Sequence, residues 1–150
     1  MIHDHSKFDA ITMLVKTLTD PTVHHELLIF EGLLALVNIS CLDESLRERM
    51  LGLGLWSNCK NFLSEKNLEI VITSIELMAN LSLSESVTRF TDFKFETDAI
   101  IAVYNCNPND KLAFAVLTYF ANTISIDEVK EQLVHDKTEL FGNLLKYLTL

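Results

Sequence analysis

The chain has 150 residues and a formal net charge of −9, with 12 Lys and Arg against 21 Asp and Glu, so it lacks the clustered cations that a phosphate-backbone binder needs. Apolar residues make up 49% of it and there are only four glycines and two prolines, which excludes a disordered chain and suffices for one domain with a sizeable core. The longest apolar run, "LLIFEGLLALVNI", contains Glu31 and is too short for a bilayer span, and "MIHDHSKFD" has no basic segment leading into an apolar one. These bounds predict a cytoplasmic protein that binds neither nucleic acid nor membrane. Cys41, Cys59 and Cys106, odd in number and scattered, read as reduced, mostly buried thiols.

In chain order, "KFDAITMLVKTL" sets Phe8, Ile11, Leu14, Val15 and Leu18 on one helical face. "DPTVHHELLIFEGLLALVNIS" predicts a long helix over 22–40, with Asp20 as its N-cap and Pro21 at the first helical position. A short helix, "DESLRERML", follows under the cap Asp43, and then a middle helix, "LWSNCKNFL". The second long helix spans 66–82, with Ser64 and Asn67 where the other copies carry proline. "SESVTRF" (cap Ser84) and "ETDAIIAVY" are the next short and middle helices. A third long helix runs over 108–124, with Asn107 as cap and Pro108 at its start. "DEVKEQLV" (cap Asp127) and "ELFGNLLKYL" close the series.

The pattern repeats. "LLALVNISCLDES", "IELMANLSLSES" and "TYFANTISIDE" carry Asn38, Asn80 and Asn122, spaced 42 and 42 residues apart. A period of about 42 lies in the HEAT and armadillo range, and the order short, middle, long helix is that of an armadillo unit. The expected fold is all-α: a right-handed helical solenoid of about three repeats, with approximate units 1–40 (partial), 41–82, 83–125 and 126–150 (partial). It reads as a piece of a longer array. Units of this kind bury their apolar faces only by stacking, and a fully buried Leu, Ile or Phe contributes roughly 1.5–3 kcal/mol. The expected inter-unit core includes Leu36, Met78 and Phe120 with Ile39 and Leu81, and each long helix should be buried on all sides. A solenoid end left open near residues 8–18 predicts self-association.

Asparagine inside an apolar helix needs a reason, and two remain open. Its amide can bond free carbonyls and fix the turn that follows, or it can bond the backbone of an extended peptide lying along a concave face. On the second reading the candidate groove comprises Asn38, Asn80 and Asn122, with Leu34, Glu76 and Thr118 four residues before them. One further turn back stand Glu31 and Thr73, with Ala115 in the third copy.

The stretches "FEGLLALVNIS", "LDESLRERMLGLG" and "MANLSLSESV" resemble the C-terminal armadillo-type repeats of the UCS family of myosin chaperones. Phe30–Glu31, Ala35–Leu36, Asn38 and the glycine step Gly52/Gly54 carry the likeness. The glycine step occurs in the first copy only; "FTDFKFE" and "VHDKTE" replace it later. The resemblance covers residues 22–90 well and 108–135 loosely. It implies a cytosolic, non-enzymatic chaperone that engages the myosin motor domain through its groove and assists folding and actomyosin function. Without the family, the same pattern fits a generic armadillo or HEAT scaffold for another cytosolic protein, or the cap of a longer solenoid.

Enzyme chemistry is not expected, nor is any cofactor or metal. "HHELLIF" offers His25 and Glu26 of the H-E-x-x-H zinc pattern, but isoleucine stands at position 29. His3, Asp4 and His5 read as a frayed terminus, and Cys59 and Cys106 have no activating base in sequence. Asn-Ile-Ser and Asn-Leu-Ser match the glycosylation pattern by coincidence. Trp56 and most phenylalanines read as core, with Phe93 and Phe95 as possible contact residues in a polar loop.

Overall fold

The computed structural model describes residues 2–135 and 142; the side chains of residues 2–5 and 7 fall outside that set. Among the described residues the chain is all-α and contains no strand. The elements are α1 (Ile2–Thr19), α2 (Glu26–Ser40), α3 (Glu44–Gly52), α4 (Leu55–Phe62), α5 (Leu68–Leu81), a 3-10 turn (Val87–Arg89), α6 (Lys94–Cys106), α7 (Asp110–Thr123) and α8 (Asp127–His135). None of these helices is long and apolar enough to cross a membrane. The expected helix at "ELFGNLLKYL" lies outside the described residues.

The three long helices form a row in which α5 packs against α2 on one flank and α7 on the other. The shorter helices lie behind it: α1 against α2, α3 and α4, α4 against α5, and α6 against α7 and α8. Leu36, Met78, Phe120 and Leu81 are buried as expected, and Ile39 packs half-buried against the same core. Ile11, Val15 and Leu18 are also buried, so the face of α1 expected to stand open is largely covered, while Met13 on the opposite side is exposed. At the α1–α2 contact Gly32 permits close approach, since a Cβ there would stand 3.0 Å from Leu18 Cδ2.

Hydrogen bonds from side chains to sequence-distant residues keep a spacing near 42 residues. They join residues from 37 apart (Arg49 to Thr12) to 43 apart (Asn122 to Ala79). Glu44, at the start of α3, accepts from Ser84 Oγ at 2.7 Å and from the Glu85 backbone N–H at 3.1 Å, and pairs with Arg47 at 3.1 Å. Trp56 donates to Glu96 across 3.2 Å, with Lys60 at 3.8 Å from the same oxygen. This buried carboxylate ties α4 to α6.

Several boundaries differ from expectation. The long helices start at Glu26, Leu68 and Asp110, not at the prolines. Asp20 closes a turn instead of capping: its Oδ1 accepts from the backbone and hydroxyl of Thr22, and its carbonyl accepts from Val23 N–H. The backbone at His25 is then extended, which starts α2 afresh without a side-chain cap. Asn109, not Asn107, caps α7 by accepting from Leu112 N–H at 2.9 Å. Asp43 caps α3 as expected, and Asn67, in the stretch where the other copies carry proline, caps α5. Ser84 does not cap an α-helix: its hydroxyl donates to Glu44 and accepts from Ser86 N–H at 3.4 Å, and the second short helix shrinks to the 3-10 turn. Asp127 opens α8 and pairs with Lys130.

The glycine step has an unexpected counterpart. Gly54, before α4, has φ 82°, the left-handed region that favours glycine. Phe93, before α6, takes the same conformation with φ 64°. That strain costs of order 1–3 kcal/mol, and burial of the ring offsets it: Phe93 is 1% exposed and packs edge-on against Trp56 at 5.5 Å. Phe93 is therefore core, not a contact residue. Phe95 does face outward, beneath the Lys60 ammonium at 4.4 Å.

Candidate functional site: the surface of the long helices

The asparagines lie at the C-terminal ends of the long helices, and two of them clasp the helix before. A helix leaves its last four carbonyls without intrahelical partners. In α2 one of these is Val37 O, which accepts Ser40 Oγ at 2.7 Å and Asn80 Nδ2 at 3.2 Å. In α5 the equivalent is Ala79 O, which accepts Ser82 Oγ at 2.7 Å and Asn122 Nδ2 at 2.9 Å. Asn80 Nδ2 also lies 2.9 Å from Ser40 Oγ and 3.3 Å from Cys41 Sγ. The Asn-x-Ser triplet thus has a structural reason: serine folds back on its own helix end, and the next copy's asparagine bonds the same carbonyl.

In both cases the amide bonds a carbonyl at a helix end, and the bond runs between copies: Asn80 and Asn122 each donate through Nδ2 to the long helix before. Both residues are half-buried, whereas Asn38 is exposed.

A depression nevertheless runs along the row, nearer the N-terminal ends of the helices. One part, about 510 Å³, is lined by Glu26, Leu27, Phe30, Asn67 and Glu69. It meets at Phe30 and Glu69 a second part, about 200 Å³, lined also by Leu34, Ile72, Thr73, Glu76 and Lys111. Of the predicted groove residues, Leu34, Glu76 and Thr73 are here. Thr73 is buried and its hydroxyl bonds Glu69 O at 2.7 Å, so it contributes wall and no free donor. Thr118 is half-buried and bonds Phe114 O; Glu31 is exposed on α2.

Leu27, Phe30, Glu69, Ile72 and Lys111 line the groove without having been singled out as groove residues by sequence. The signal existed in the 42-residue phase. Eight residues before each asparagine stand Phe30, Ile72 and Phe114; eleven before stand Leu27, Glu69 and Lys111. Both offsets stay on one helical face, but a search that stops at seven misses them.

Two polar links tie the copies at this end. Asn67, while capping α5, donates through Nδ2 to Glu26 at 2.7 Å. Lys111 Nζ pairs with Glu69 at 2.8 Å, with both side chains at least half exposed. Burial pushes the Glu76 carboxyl above its ordinary value, opposed by the Lys111 charge and reinforced by Glu69. The apolar members are unusually open: Leu27 is 60% exposed and Leu34 36%, and Phe114 on α7 reaches 71%.

Among the described residues no three His, Cys, Asp or Glu side chains converge as metal ligands. His25 stands just before α2, and Glu26 is engaged by Asn67. The side chains of His3, Asp4 and His5 lie outside the described set, although their backbone is helical. Cys59 is buried in apolar surroundings that push its thiol pKa up, which makes it a poor nucleophile. Cys41 and Cys106 are exposed, contrary to the expectation of mostly buried thiols, because each sits just past or at the end of a helix. No protein-family model, curated protein or solved structure matches the chain.

Proposed function

We propose that the chain is a protein-binding armadillo-type module whose long helices α2, α5 and α7 form a shallow groove for a segment of a client protein. The observation that carries this reading is the phased row itself. Helix ends are clasped at a 43-residue separation by Asn80 and Asn122, and beside them lies a groove with exposed Leu27 and Leu34. Contiguous exposed apolar surface rimmed by polar groups marks an interaction site. The stack supplies a rigid wall, and the side chains one to two turns before each asparagine supply the contacts. The UCS-like residues Phe30–Glu31 and Asn38 suggest the myosin motor domain as client, with a chaperone role. A generic armadillo or HEAT scaffold would use the same groove for another protein.

The test is capture of a myosin motor domain by the chain and by its Leu27→Ser/Leu34→Ser variant. Both leucines are exposed, so circular dichroism should show an unchanged fold. Wild type should retain the motor domain and the variant should lose about tenfold in affinity, as expected for two apolar contacts of about 0.7 kcal/mol each. Equal capture by the folded variant removes the groove from the account. No capture by wild type removes myosin and leaves the scaffold reading.

A further inference from the structure

The groove differs from a merely apolar cleft in the sign of its charge. Its lining carries three carboxylates, Glu26, Glu69 and Glu76, against one ammonium, Lys111. The neutral Asn67 amide is the hydrogen-bond partner of Glu26, so that charge is not cancelled. Lys111 is matched to Glu69 at 2.8 Å and stands 68% exposed, where solvent weakens the pair. Glu76 is half-buried between these groups, in surroundings that already disfavour its charge. A cation brought into the groove would relieve that crowding. The walls on either side are apolar: Leu27, Phe30 and Leu34 from α2, and Ile72 from α5.

Resting on the groove reading above, we infer that the occupant is a cationic–apolar segment, in which a Lys or Arg side chain lies between apolar ones. The apolar side chains settle against Leu27, Phe30 and Leu34 while the cation reaches Glu69 and Glu76. The chain's net charge of −9 would steer such a segment inward and repel an acidic one. Lys111 then acts against affinity. By neutralising Glu69 it restricts the site to segments whose cation can compete with it.

Fluorescence anisotropy on the full chain tests this with three labelled peptides, each about ten residues and so roughly 33 Å when extended. They share the same Leu and Phe residues and differ in carrying Lys and Arg, Gln, or Glu between them. The cationic peptide should bind at least about tenfold tighter than the acidic one, with the gap shrinking at high salt. Glu69→Gln/Glu76→Gln should bring that gap to about threefold or less, and Lys111→Met should tighten the cationic peptide by about threefold. These positions are exposed or half-buried, and circular dichroism spectra matching wild type would show the variants folded.

A gap that persists in Glu69→Gln/Glu76→Gln overturns the inference, as does equal binding of all three peptides or binding of none. If the three bind equally but Leu27→Ser/Leu34→Ser abolishes them all, the charge rule fails and the groove stands. If that variant binds the cationic peptide as wild type does, the groove reading fails with it.

Discussion

Helices α2 and α5 are written in nearly the same alphabet, "ELLIFEGLLALVNIS" and "LEIVITSIELMANL", yet they live in different surroundings. Helix α5 has neighbours on both flanks and behind it, and buries all but a few of its side chains from Ile70 to Leu81. Helix α2 buries Gly32, Leu33, Leu36 and Ser40 and leaves Leu27, Leu28 and Leu34 at least a third exposed. Hydrophobicity alone therefore does not report burial; position in the stack does. The helix with unspent apolar surface is also the one that contributes Leu27, Phe30 and Leu34 to the groove.

The comparison breaks most visibly through truncations. Leu77→Ala, at a fully buried site of α5, should cost about 2–5 kcal/mol. Leu28→Ala, at a 47% exposed site of α2, should cost under about 1 kcal/mol. Urea unfolding followed by circular dichroism measures both, and similar losses would mean that α2 is covered in solution.

A smaller contrast separates the asparagines. Asn80→Ala removes the donor to Val37 O and Ser40 Oγ and should destabilise by about 1–2 kcal/mol. Asn38→Ala, at an exposed position, should stay within about 0.5 kcal/mol of wild type. Equal effects at the two sites would show that the inter-copy bond contributes nothing net.

The smallest contrast is electrostatic and has opposite signs. Burial raises the Glu44 pKa, but hydrogen bonds from Ser84, Arg47 and the Glu85 backbone outweigh it, so the carboxyl lies below the ordinary 4.5. Its folded-state pKa is depressed, so its stabilisation is present above 4.5 and disappears as pH falls through the lower folded value. Glu76 is raised, so its folded form holds the proton more tightly and its charge is a small liability once pH rises past 4.5. At neutral pH Glu44→Gln should lose stability and Glu76→Gln should gain it, each by about a few tenths of a kcal/mol after solvent screening. Thermal melts should show both differences at pH 7, and both should shrink as the pH is taken below 4.5.

Much of the architecture was legible before any coordinates. The 3.6-residue spacing of apolar positions places the long helices to within a few residues, and Asp43 and Asn67 announce their own caps. The prolines misled, because Pro21 sits in a turn and Pro108 in an irregular stretch, each ahead of the helix it seemed to open. The groove was only partly legible: Leu34 and Glu76 share the asparagine face, but Leu27, Phe30, Glu69 and Lys111 emerge only when all three helices are laid side by side. The Gly54 turn was readable from its residue, whereas its twin at Phe93 was not. A left-handed phenylalanine is tolerated only because Trp56, far away in sequence, buries its ring.

The sequence by itself determined an all-helical chain, a period near 42 residues and the acidic character of its surface, because these depend on local spacing and composition. Only the tertiary structure decided which way the asparagine amides turn and which helix keeps an open apolar face. Both depend on a neighbouring helix about 40 residues away. An amide bonds whatever carbonyl the adjacent helix end leaves free, and a leucine is buried only where another helix covers it.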